Sequence, residues 1–103
     1  MTVIVRTHNM LEVRLRAPHR VHAAHLQQSA NEVLDEFAAT TTPARAKSII
    51  LVKATVSHMG KEFTHEIDVD HPRFLVRKAK LAAAEAVDAA LAFQESNDAR
   101  RDS

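Results

Sequence analysis

Apolar and polar positions follow a period of two along VIVRT (3–7) and LEVRLR (11–16), which predicts two strands. A three-residue turn at His8-Asn9-Met10 would pair Val3 with Leu15, Val5 with Val13 and Arg6 with Glu12. Apolar then meets apolar on one face and opposite charges meet on the other. One long bent strand fits the same pattern.

The alternation returns in SIILVKATVSH (48–58) and KEFTHEIDV (61–69), on either side of Met59-Gly60. Closing a two-residue turn there pairs His58 with Lys61, Val56 with Phe63, Ala54 with His65, Val52 with Ile67 and Ile50 with Val69. The opposite face then pairs Thr55 with Thr64 and Lys53 with Glu66. A slip of one residue would destroy both agreements. In this register Ile49 and Leu51 point away from the core, beside Asp70 and Asp68. The SIILV run has strong strand propensity and no charge, a liability if left open at an edge. Ile49 and Leu51 are therefore candidate interface residues, to be covered by a second copy of the chain, a different protein partner or the chain's own C-terminal segment; a homo-oligomer is the simplest of these and is expected.

Between and after the hairpins the period changes to 3.6. His19, Ala23, Leu26, Ala30, Val33, Leu34 and Phe37 share one helical face, predicting a helix over 18–39 with Pro18 in its first turn. The Thr40-Thr41-Thr42-Pro43 run stops it. Asp70 is positioned to cap a last helix with Pro72 in its first turn. Leu75, Val76, Ala79, Ala82, Ala83, Ala86, Val87, Ala90 and Phe93 form that helix's apolar face. The fold expected is α+β: a four-stranded antiparallel sheet with two helices on one face, in the order β-β-α-β-β-α. Residues 1–95 form the single domain, and 96–103 are a polar, frayed tail.

Composition narrows the function. The 103 residues are 46% hydrophobic and 26% charged, the profile of a globular domain. The net charge of +1 means that any nucleic-acid site must be a local patch. Cysteine is absent, which removes disulfides, thiolate chemistry and cysteine-ligated zinc. A single glycine, Gly60, excludes phosphate-binding loops, dinucleotide fingerprints and nucleophile elbows. No apolar run is long enough for a membrane span and the start lacks a signal-peptide pattern, so a cytoplasmic location is expected.

PHRVHAAH (18–25) sets His19, His22 and His25 three residues apart. On a helix they fan over roughly 120° at 100° per residue, too wide for one tetrahedral ion, so the stretch reads as a helix start. His65 falls on the apolar face of its strand and needs a partner for each ring nitrogen. A role as general base lacks a nucleophile beside it. Glu66, Asp68 and Asp70 alternate on the opposite face, as a solvated strand face also would. No cofactor and no metal site is expected.

The last helix opens with Arg73, Arg77, Lys78 and Lys80, cations that oppose its dipole unless an anion binds there. Arg6, Arg14 and Arg16 add charge on the outward face of the first hairpin. RKAKLAAAEAVDAAL (77–91) resembles the final helix of double-stranded RNA-binding domains, with Arg77 and Lys80 on basic positions of that pattern. HMGKEFTHEIDVD resembles the strands before that helix. The family has three strands between its helices, where the alternation here predicts two. VIVRTHNMLEV and HMGKEF are also similar to stretches of ribosome hibernation factors, which have a related fold. Either resemblance implies phosphate contacts from Arg73, Arg77, Lys78 and Lys80. The expected function is a non-enzymatic RNA-binding or ribosome-associated domain, with Arg6 and Arg14 as further contacts. The alternative is a protein-interaction or assembly subunit of a phage or multi-protein complex. A small hydrolase using His65 with the acidic strand face is a third, remote reading.

Overall fold

The computed structural model describes residues 2–7, 9–17 and 23–101. Strands β1 (Thr2–Thr7) and β2 (Met10–Ala17) are followed by helices α1 (Ala23–Thr40) and α2 (Pro43–Lys47). Strands β3 (Leu51–His58) and β4 (Lys61–Asp68), a single 3-10 turn (Pro72–Phe74) and helix α3 (Leu75–Arg101) complete the chain. The protein is α+β, but its four-stranded sheet is mixed rather than antiparallel. The strands lie in the order β1-β2-β3-β4, and the central pair, β2 and β3, is parallel. The reason is the connection. A chain that leaves β2, returns along the sheet as α1 and enters β3 must run in its original direction again.

The β3–β4 hairpin has the register predicted from its alternation, from His58↔Lys61 to Leu51↔Asp68. Its turn needs two left-handed residues, and Met59 (φ 51°) and Gly60 (φ 78°) supply them. The β1–β2 hairpin is one residue off the predicted register. Thr7 pairs with Met10, so Ile4 rather than Val5 stands opposite Val13. Val3-Ile4-Val5 offers an apolar residue to either face, and so does not fix the register by itself. The slip turns Val3 outward, 41% exposed, and turns Arg6 to the face that Leu11 occupies.

The core lies between one sheet face and the helices. Leu11, Val13 and Leu15 of β2 and Val52, Ala54 and Val56 of β3 are buried with Leu26, Ala30 and Leu34 of α1. α3 packs on β3 and β4, and α1 on α3. Ala79, Ala82, Ala83, Ala86 and Ala90 of α3 are all buried, so its backbone approaches the sheet closely. α3 continues to Arg101 and takes in most of the polar segment 96–103.

Ile49 is a correction. It is 2% exposed and belongs to the core, while Ile50 is 58% exposed. Regular β-structure begins only at Leu51, so the pleat cannot be extended back through 48–50. There the chain is still leaving α2: the Ile49 amide donates to the Ala46 carbonyl at 3.3 Å. Leu51 is half-buried and points outward.

Candidate nucleic-acid interface

Both helix starts near the cationic cluster are built by local caps. Thr42 accepts a hydrogen bond from the Arg45 amide at 3.3 Å, and Pro43 occupies the first position of α2. The Thr-Thr-Thr-Pro run therefore ends one helix and starts another, a reading missed in the sequence although the Thr-Pro pair carries the signal. Downstream the cap is His71 rather than Asp70. Its Nδ1 accepts from the Arg73 amide at 3.2 Å, and Pro72 opens the 3-10 turn that leads into α3.

β3 begins immediately after α2, and β4 ends just before the 3-10 turn. Since Leu51 pairs with Asp68, both segments emerge at one end of the sheet. α2 packs against the 3-10 turn there. α2, which carries Arg45 and Lys47, thus lies at the same end as the 3-10 turn, which carries Arg73, and the first turn of α3, which carries Arg77; all four side chains are exposed, and Arg45 lines a groove with Arg6 and Glu36. Arg73 lies over the Phe74 ring, 4.7 Å from its centre, which limits the freedom of its side chain. Arg6 reaches the same end and donates to the Ser48 hydroxyl at 2.7 Å.

These cations differ from others on the molecule. Lys80 is bonded to Asp35 of α1 at 2.7 Å. Arg14 pairs with Glu12, and Lys53 approaches the same carboxylate at 3.9 Å. Arg45, Lys47, Arg73, Arg77 and Lys78 have no carboxylate oxygen within 4.0 Å among the described residues. Of the residues singled out in the sequence, Arg73 and Arg77 come together, with Lys78 on the next position of α3. Lys80 is tied to α1, and Arg14 lies on the open face of the sheet. Arg45 and Lys47 were not foreseen, because a five-residue helix leaves no periodic pattern.

The helix start itself offers few free amides. Pro72 has none, and the Arg73, Phe74 and Leu75 amides donate to His71 Nδ1, the His71 carbonyl and the Pro72 carbonyl. An anion would be held by side chains. Aromatic platforms for bases are also missing from the open sheet face: Phe63 and Phe93 pack on each other at 5.5 Å, and Phe74 sits beneath Arg73.

The remaining candidates separate. His65 bonds Glu85 of α3 on the helix side, whereas Glu66 and Asp68 lie on the other face, so the sheet divides the groups a hydrolase would need together. His19 and His22 lie outside the described residues, and His25 is exposed. Among the described residues no group of three His, Cys, Asp or Glu is placed to hold a metal ion. Among the described residues the buried histidine is His58, 1% exposed, with Nδ1 2.8 Å from the Ala17 carbonyl oxygen and Nε2 2.8 Å from the Gln94 side-chain oxygen. It ties β2, β3 and α3 together. No helix among the described residues is long and apolar enough to cross a membrane. No family model, curated protein or solved structure matches the chain.

Proposed function

We propose that the chain is a non-enzymatic RNA-binding domain that grips the phosphate backbone through Arg45, Lys47, Arg73 and Arg77. The observation that carries this reading is the absence, among the described residues, of carboxylate partners around these four cations, on a molecule whose Arg14, Lys53 and Lys80 each have one. Gathering like charges at one end is unfavourable unless an anion relieves it. The four phenylalanines are all partly buried, which favours a structured backbone over splayed bases. Lys78 and Arg6 flank the cluster as secondary contacts, and a ribosomal RNA helix is one substrate of this class.

The test is fluorescence anisotropy of a labelled RNA duplex at low salt. Arg73→Glu/Arg77→Glu should abolish binding with helix content unchanged, while Arg14→Glu should bind nearly as wild type. Equal losses from both variants would show that overall charge, not this cluster, governs binding. No binding by the wild type would end the proposal.

A second reading, a protein-interaction or assembly subunit, is favoured by the open sheet face. Val3, Val5, Met10 and Leu51 project there without a covering helix. Capture of a protein partner that survives Arg73→Glu/Arg77→Glu would support it over RNA binding.

A further inference from the structure

We infer that the chain forms a two-fold dimer in which β1 of each copy pairs antiparallel with β1 of the other, centred on Ile4. The sheet has two edges, β1 and β4. β4 is guarded in the usual way, by Lys61, Glu62, His65, Glu66 and Asp68 along its length. β1, TVIVRT, carries only Arg6. Its free edge presents a row of backbone donors and acceptors along Thr2–Val5, with Arg6 near its end as the one charge in the strand.

A second copy of β1 fits this edge in one register. Centring the ladder on Ile4 sets Val3 against the partner's Val5, Ile4 against the partner's Ile4, and Thr2 against the partner's Arg6. Every apolar side chain meets an apolar one, and the two Arg6 side chains sit at opposite ends of the ladder. Sliding by two residues in one direction opposes Ile4 with the partner's Arg6; sliding the other way shortens the ladder. Sliding by one residue would turn the partner's helices to the opposite face of the joined sheet.

The surroundings of β1 suit the same partner. Ile4, Val33 and Phe37 line a groove between the β1 edge and α1 together with the charged Arg6, Glu36 and Arg45. Ile4 of the second copy would extend the floor of that groove. On the other face Val3, 41% exposed, would gain the partner's Val5 as a neighbour. The contact is isologous and closes at two copies, as a symmetric interface must.

Charge exchange tests this register. Within one protomer Val3 lies opposite Arg14 and Val5 opposite Glu12, so Val3→Glu and Val5→Lys each acquire a compatible neighbour on β2. Sedimentation equilibrium should show a wild-type dimer. Each single variant should weaken it by about tenfold or more, because a charge then faces valine. Val3→Glu/Val5→Lys should recover the dimer through two new ion pairs between copies. Independently, Ile4→Cys should cross-link as a dimer on oxidation, since directly opposed residues lie within disulfide reach and the chain has no other cysteine. A monomeric wild type, an open-ended assembly, or Ile4→Cys that stays uncross-linked would each overturn the inference. Cross-linking remains decisive if a charged variant fails to fold.

Discussion

Replacing Ile49 with alanine should cost far more stability than making the same change at Ile50. Ile49 is 2% exposed among the core side chains, and Ile50 is 58% exposed. Truncating a buried isoleucine removes its transfer free energy and leaves a cavity, together about 2–5 kcal/mol. A surface truncation usually falls within about 0.5 kcal/mol. The cavity would open where the chain passes from α2 into β3, a segment held by the Ile49–Ala46 backbone bond and, at its far side, by the Ile50 amide donating to Asn9 at 2.9 Å. Partial collapse there is limited, so a value near the middle of the range, about 3 kcal/mol, is expected. Urea unfolding followed by far-ultraviolet circular dichroism suits a chain without tryptophan or tyrosine. At an m-value of about 1–3 kcal/mol/M, Ile49→Ala should lower the midpoint by about 1–3 M and Ile50→Ala should leave it nearly unmoved. Equal losses, or a larger loss at Ile50, would refute this placement of the strand entry.

Met59 occupies a left-handed conformation that L side chains adopt at a cost of about 1–2 kcal/mol, so Met59→Gly or Met59→Asn should raise the melting temperature by several degrees. Gly60→Ala should lower it even though a Cβ there would meet nothing within 4 Å, because the penalty is in φ rather than in packing. His58→Leu should destabilise the fold by about 1–3 kcal/mol in chemical denaturation, since the Ala17 carbonyl then loses the ring N–H that reaches it.

The sequence carried unequal amounts of information about different parts of the fold. The β3–β4 register was legible because Val52, Ala54 and Val56 alternate cleanly with Lys53 and Thr55, and Gly60 marks the turn. The β1–β2 register was not, because three consecutive apolar residues satisfy either face and the strand lies at an edge. Which strands become neighbours was not encoded in their alternation; the parallel β2–β3 pairing follows from α1 acting as a crossover. Pattern extension failed at Ile49, where the pleat stops and a helix exit takes over. Half of the proposed site was visible as the basic run opening α3. The other half needed the pairing of Leu51 with Asp68, which brings Arg45 and Lys47 to the same end.

The salt dependence of RNA binding tests the central claim most directly. Phosphate contacts release counterions, so the logarithm of the association constant should fall linearly with the logarithm of salt concentration, by about 0.9 per contact on a duplex. Four contacts from Arg45, Lys47, Arg73 and Arg77 predict a slope of about −3 to −4. Removing Arg77 as Arg77→Ala should reduce its magnitude by about one. A slope near zero, or one that Arg77→Ala leaves unchanged, would contradict the proposal that this end of the molecule grips RNA.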